Sequence, residues 1–231
     1  VSDKTLTIVL FTYSPTVDGP RAGYALRTLR SVLDNLKTTA TLKVHIADDG
    51  SAPGHVENLR ALAGSYGQVL TVGSTNADRQ GYGASYNLAT QATHSGSDYI
   101  LPLEDDWELP HPLYVDRYLD ALDRGIFGCI RLGYLGVTQT LEAHVVKIDS
   151  YAYWLLHPDS AEPHLFAGHP RLETVGWQRQ MGAWEEGLEP GPTEWSVAMR
   201  VRDGIVWPAD GGHFAHIGTI QARTDQSEYA S

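Results

Sequence analysis

Through the first half of this sequence, short apolar runs alternate with segments of helical periodicity, and each apolar run ends in a polar, turn-forming motif. Residues 5–11, Thr-Leu-Thr-Ile-Val-Leu-Phe, read as a strand buried on both faces, which Thr12-Tyr13-Ser14-Pro15 ends. Ala22, Leu26, Leu29, Val32, Leu33 and Leu36 then recur at the spacing of one helical face over residues 21–36. A second strand over 42–47 stops at Asp48-Asp49-Gly50-Ser51. Val56, Leu59, Leu62, Ala63 and Tyr66 mark a second helix, and a third strand over 68–73 leads into the polar loop 74–83. A third helix passes through Leu88 and Ala92, and a fourth strand over 99–103 runs into Glu104-Asp105-Asp106. This alternation, with loops of ordinary length, predicts an α/β fold: a mostly parallel, Rossmann-like sheet flanked by helices. Ligands of such sheets bind beyond the carboxyl ends of the strands, which is where these polar motifs converge.

Charge is distributed unevenly. No lysine or arginine falls between Arg79 and Arg117, yet that stretch carries Asp98, Glu104, Asp105, Asp106, Glu108 and Asp116. Crowded carboxylates raise one another's pKa and call for water, a proton or a cation. A net charge of −11 argues against a nucleic-acid or anionic-membrane partner, which would need a basic face. The single cysteine, Cys129, excludes an intramolecular disulfide and a multi-cysteine zinc site. No run approaches the ~18 apolar residues of a membrane span, and no basic-then-apolar leader is present. A cytoplasmic protein without an integral membrane segment is therefore expected.

The second half is less regular. Strands are expected over 126–132, 143–148 and 205–208, with a short helix over 194–202 that carries Trp195, Val197, Ala198 and Met199. Residues 157–193, rich in Pro, Gly, His and Trp, read as irregular structure, and residues 219–231 as a flexible polar tail. One domain over 1–231 is expected, with halves at 1–125 and 126–218.

Taken in order, these motifs resemble those of the family 2 glycosyltransferases, which have the nucleotide-diphospho-sugar transferase fold called GT-A. Thr12-Tyr13 matches the end of the family's first strand, and Asp48-Asp49-Gly50-Ser51 the end of its second. Asn76, Arg79, Gly81, Asn87 and Ala89 match its Asn, Arg-x-Gly, Asn-x-Ala segment, and Glu104-Asp105-Asp106 its acidic Asp-x-Asp motif. The resemblance covers residues 5–125 well and continues thinly to about residue 218. It implies a nucleotide-diphosphate sugar donor, UDP-sugar being favoured, and a hydroxyl-bearing acceptor, with a smaller mixed-sheet half on the acceptor side.

The chemistry of the residues agrees. Asp49 can accept a hydrogen bond from a uracil N3–H and Tyr13 can stack on the ring, although the Asp48–Ser51 motif is equally a good turn. Thr12 and Asp48 belong to the same donor-binding set, and Arg79 can reach the base or a phosphate. Gly81 and Gly83 allow the backbone to approach the donor closely, whereas Asn87 reads as a structural tie from helix to loop. By resemblance, Asp106 binds a divalent cation, Mn²⁺ or Mg²⁺, while Glu104 or Asp105 contacts ribose or positions a water. His216, in Phe214-Ala215-His216-Ile217-Gly218, is the matching further metal ligand, with His213 its rival. Counting back from Arg200 places Glu194 on the family's catalytic base, with Glu185 and Glu186 as rivals; a helix-start glutamate is the plain alternative. Trp107 and Trp184 are candidate acceptor contacts, and Trp195 reads as core.

The implied reaction is a single inverting displacement with Glu194 as base. Two other readings share these features: a non-catalytic nucleotide-sugar or carbohydrate-binding module, and a sugar-phosphate nucleotidyltransferase. The second lacks the Gly-rich basic loop that its triphosphate would need, since Tyr13–Arg21 holds one glycine and one arginine.

Overall fold

The computed structural model describes residues 4–67, 70–135, 142–160 and 165–219. The first half contains β1 (Thr5–Thr12), α1 (Pro20–Asn35), β2 (Leu36–Lys37), β3 (Thr41–Asp48), α2 (His55–Gly64), β4 (Leu70–Thr75), α3 (Tyr82–Thr93) and β5 (Tyr99–Glu104). After the acidic motif come β6 (Trp107–Glu108), β7 (Leu113–Tyr114), α4 (Asp116–Asp123) and β8 (Cys129–Arg131). The chain continues through β9 (Ala143–Ile148), β10 (Tyr151–Leu156), β11 (Arg171–Thr174) and α5 (Val175–Met181). It ends in α6 (Pro190–Arg200), β12 (Ile205–Pro208) and β13 (Ala215–His216).

Nine strands form one sheet in the order β4-β3-β1-β5-β11-β8-β12-β10-β9. β4, β3, β1 and β5 are mutually parallel. β1 lies at their centre, and its apolar run is the consequence of burial on both faces. Leu6, Ile8 and Leu10 pack with Leu29, Leu59 and Leu119 of α1, α2 and α4. Val9 and Phe11 point the other way, into Tyr86, Val175 and Val197 of α3, α5 and α6. Pro20 opens α1, where a missing N–H has no consequence and a fixed φ helps. Because β3 and β5 flank β1 on opposite sides, the chain order reverses at β1. That is where a doubly wound sheet leaves a crevice.

Beyond β5 the sheet changes character. β11 runs antiparallel to both β5 and β8, β12 is parallel to β8, and β10 and β9 close the edge as an antiparallel hairpin. The expectation of irregular structure over 157–193 is therefore corrected, since β11 and α5 both lie inside it. The strand was disguised because its inward residues, Arg171 and Glu173, are charged yet fully buried as a pair. Trp195 is also corrected. The buried face of α6 runs through Thr193, Val197 and Ala198, which leaves Trp195 43% exposed. Residues 68–69 of the expected third strand and residues 220–231 of the expected tail lie outside the described residues.

A two-stranded clip, β6 with β13, sets His216 opposite Trp107. Among the described residues, no helix is long and apolar enough to cross a membrane.

Candidate active site

The carboxyl ends of β1, β3 and β5 open into a cleft of about 1040 Å³. Its lining includes Thr12, Tyr13, Asp49, Arg79, Gly81 and all three residues of the Glu104-Asp105-Asp106 motif. The four polar motifs thus meet, as their placement at strand ends requires.

On the β3 side the loop 76–81 is folded around one carboxylate. Asp49 Oδ1 accepts from Asn76 Nδ2 and from the Gln80 backbone N–H, both at 2.9 Å, and Oδ2 accepts from the Gly81 N–H at 2.9 Å. Gly50, at φ +79°, lies against backbone here: a Cβ would come within 2.9 Å of Arg79 N. The Arg79 guanidinium sits 4.1 Å over the Tyr13 ring. Two residues assigned to the donor are placed elsewhere. Asp48 is buried and accepts the Ser51 N–H at 3.3 Å, so its carboxylate closes the turn rather than lining the cleft. Gly83 does permit a close approach, but to protein: a Cβ there would stand 2.1 Å from the Glu185 carbonyl oxygen. Asn87 ties that segment down as expected, donating to the Trp184 carbonyl at 2.9 Å and accepting the Trp184 N–H at 2.8 Å.

The three acids after β5 have three different environments. Asp105 is buried, and its carboxylate accepts from Thr12 Oγ1 at 2.8 Å, Tyr13 N–H at 3.2 Å and Arg21 Nη2 at 2.9 Å. Burial still pushes its pKa up to about 6 against the opposing pull of Arg21. Its role is to fasten β1, α1 and β5 together. Glu104 accepts from Trp107 Nε1 at 3.3 Å and is held up to about 8, first by burial and then by the charges of Glu194 and Asp106. Asp106 Oδ2 lies 3.2 Å from His216 Nε2, and the Ile217 N–H donates to the Asp106 carbonyl at 2.8 Å. Gly218 packs closely beside it, and a Cβ there would come 2.4 Å from Asp106 Oδ2.

The competing assignments separate in space. Glu194 lines the cleft and accepts the Gly168 N–H at 3.0 Å. Glu185 and Glu186 are exposed and lie outside the cleft lining, with Glu186 accepting from Asn87 at 2.8 Å. His213 lies outside it too, its Nε2 2.7 Å from the Tyr118 hydroxyl. Trp184 is corrected from acceptor contact to core: it is 2% exposed and packs on Tyr82, Tyr86 and Phe166. Trp107 is in the cleft floor but buried, wedged between the His169 and His216 rings at 5.1 Å each, so it supports the acids and offers no open face.

Residues absent from the motif reading complete the site. Arg171 donates to the carbonyls of Gly168, Ala167 and His169, pairs with Glu173, and donates to the Tyr86 hydroxyl at 3.0 Å. It therefore holds the loop whose Gly168 N–H grips Glu194. A Cβ on Gly168 would stand 2.2 Å from Glu194 Oε1 and 3.3 Å from Glu104 Oε1. The sequence carried no local signal for this hub, whose partner Tyr86 is 85 residues away.

Among the described residues, no group of three or more His, Cys, Asp or Glu side chains is arranged to hold a metal ion unaided. The pair Asp106 and His216 nonetheless presents one carboxylate oxygen and one imidazole nitrogen to the cleft. That donor set suits Mg²⁺ or Mn²⁺ completed by phosphate and water.

Several solved structures share this fold. TarS of S. aureus, residues 1–349, superposes with a TM-score of 0.66 at 12% identity, over 91% of this chain and 59% of that one. GalNAc-T7 with UDP, GalNAc and Mn²⁺ gives 0.64 at 13% identity, over 94% and 44%. The mannosyltransferase PcManGT from Pyrobaculum calidifontis, in complex with GDP-Man and Mn²⁺, gives 0.56 at 14% identity, over 87% and 56%. The chain spans less than two thirds of the length of each of these, and at such identities the likeness is one of fold. No curated protein sequence matches the chain. Residues 15–151 match the family described as Glycosyl transferase family 2, which is more than half of the chain. With the GT-A-like sheet and its cleft in place, that match makes the chain a member of glycosyl transferase family 2.

Proposed function

We propose that this chain is a metal-dependent inverting glycosyltransferase that moves a sugar from a nucleotide-diphosphate sugar, with UDP favoured, to an acceptor hydroxyl. The observation that carries this reading is that Glu194, alone of the three candidate glutamates, lines the same cleft as Asp106 and His216. Tyr13 offers a ring face to the base. Three of the roughly four acceptor sites of the Asp49 carboxylate take protein donors, and Oδ2 retains capacity for the base N3–H. With Asp105 committed to Arg21, Thr12 and Tyr13, contact with the ribose falls to Glu104.

Asp106 and His216 would hold Mn²⁺ or Mg²⁺, which when bound neutralises charge on the departing diphosphate. Gly168 fixes one oxygen of Glu194, so that this carboxylate takes the proton of the acceptor hydroxyl in a set position. The hydroxyl oxygen attacks the anomeric carbon as the diphosphate leaves from the opposite face, and configuration inverts. The charge of Glu194 is, after burial, a cause of the raised pKa of Glu104, so the two carboxyls face one another across the cleft.

Calorimetry with UDP, with and without Mn²⁺, tests the metal assignment. Wild type binds UDP more tightly with Mn²⁺, and Asp106→Ala loses that dependence. An unchanged metal dependence in the variant overturns the assignment. A panel of nucleotide sugars screened for metal-dependent hydrolysis tests the reaction, and turnover of none of them would leave a binding module as the better reading.

A further inference from the structure

The outer part of the sheet carries a row of side chains that the cleft does not use. β10 is registered on β9 and β12 so that Val145 faces Trp154 and Trp154 faces Trp207, which puts all three on one face. Trp154 is 44% exposed. Tyr134, 43% exposed, stacks on Trp207 with 5.1 Å between centroids and 14° between planes. The Arg131 guanidinium lies 4.8 Å over the same indole. With the backbone of Gly133, Gly211 and Gly212, these rings border a small cavity of about 130 Å³. Gly212 matters for that shape: a Cβ there would stand 3.1 Å from the Tyr134 ring.

The row joins the cleft wall at two points. Tyr134 is followed by Leu135, which lines the cleft, and Arg131 Nη2 lies 3.4 Å from Nδ1 of His169, which also lines it. From there it runs outward across β12, β10 and β9, a span of about 10 Å at the usual strand spacing. Flat aromatic faces left in water beside a cleft of this kind fit a ligand that is polar at its edges and carries C–H bonds on its faces. Those C–H bonds meet the negative face of the ring. A pyranose has this construction. Arg131, the charged side chain in the lining of this cavity, is buried against the indole and donates to the Leu165 carbonyl at 2.8 Å, so it offers no exposed cation to a polyanionic chain.

We infer that Trp154 and Tyr134, the latter backed by the Trp207 indole, form an acceptor subsite for a neutral oligosaccharide, whose terminal hydroxyl lies at Glu194 while inner sugars stack on these two exposed rings. The acceptor role rests on the glycosyltransferase reading above; the stacking itself does not.

The test is titration of intrinsic tryptophan fluorescence with cellohexaose, maltohexaose and chitohexaose, alongside UDP–Mn²⁺ calorimetry on the same proteins. At least one hexasaccharide binds wild type, Trp154→Ala weakens that binding about tenfold, and Trp154→Phe, which keeps a ring, retains it. UDP–Mn²⁺ binding is unchanged in both variants, which shows that the fold and the donor side are intact. Failure of all three chains to bind wild type, or equal binding by Trp154→Ala, overturns the subsite. So does a wild-type dimer in sedimentation that Trp154→Ala dissociates, since a second copy would then be the occupant. Hexasaccharide binding without turnover of any nucleotide sugar supports the stacking platform and overturns the glycosyltransferase reading and the acceptor role with it.

Discussion

In the β4-β3-β1-β5 half, the acids at the strand ends are held by donors from neighbouring loops. Asp49 takes Asn76, Gln80 and Gly81, and Asp105 takes Thr12, Tyr13 and Arg21. In the β11-β8-β12-β10-β9 half, the corresponding order comes from one buried hub, Arg171 with Glu173, Tyr86 and Gln178. That hub supports a loop, and the loop holds Glu194. The first half is thus a cradle built by many short ties, each local to one strand end. The second half transmits position through a single charged side chain. The two designs differ in how they should fail: the cradle loses function piecemeal, while the hub fails as a unit.

The largest expected effect tests whether the halves can be separated at all. Glu194→Gln lowers the transfer rate about a thousandfold while the UDP–Mn²⁺ titration stays at wild-type affinity. A parallel loss of UDP binding would show that the division is false. Next comes the hub. Arg171→Met leaves Glu173 buried without its partner and costs about 3–5 kcal/mol in urea denaturation. Arg27→Met at the solvent-exposed pair with Glu108 serves as the control and costs under about 1 kcal/mol. Equal losses in the two variants would remove the hub from its special place.

The cradle half has its own sensitive point in His45. It is buried on β3 beside Ser74, its Nδ1 has no partner among the described residues, and burial lowers its pKa to about 4. Between about 6.5 and 4 the unfolded chain binds a proton that the fold excludes. Stability is therefore full above that window and falls as pH drops through it, by something on the order of 3 kcal/mol. His45→Gln flattens this part of the pH–stability curve, and a curve of unchanged slope would count against the assignment. The smallest effects come from two glycines and sharpen the comparison most. The added methyl meets the Glu194 carboxylate in one case and the Asp106 side chain in the other, so each displaces a side chain rather than backbone. Gly168→Ala displaces Glu194 and slows transfer about tenfold with UDP–Mn²⁺ binding intact, whereas Gly218→Ala displaces Asp106 and weakens that binding instead. If both variants moved the same measurement, base and metal sites could not be assigned to separate loops.

The cradle was legible in the sequence because central parallel strands are apolar on both faces and their ends are polar. Residues 5–11, 42–47 and 99–103 therefore declared themselves, and the convergence of their loops followed from topology alone. The hub was not legible. Arg171 and Glu173 break the apolar pattern of a strand, and only their mutual burial against Tyr86 makes them interior residues. The aromatic assignments failed for a related reason. Whether a tryptophan is core or surface depends on which helical or strand face it occupies. Trp184 fell inside, Trp195 fell outside, and Trp154 and Trp207 became neighbours only through strand register. Asp48 and Gly83 show the same limit on a smaller scale, since a turn-closing acid and a donor-binding acid look alike until the turn is seen.

The position of the β9–β10 hairpin at the rim of the sheet has a consequence for how such a molecule can diversify. Among the described residues it is bonded to the rest of the sheet only through β10 and β12, and no strand lies beyond β9. Residues on its open face can therefore be exchanged, lengthened or shortened without reaching the parallel strands that carry Asp49, Asp105 and Asp106. If the hairpin face takes the acceptor as proposed, selection for a new one can act on this outer module while the inner one is inherited unchanged.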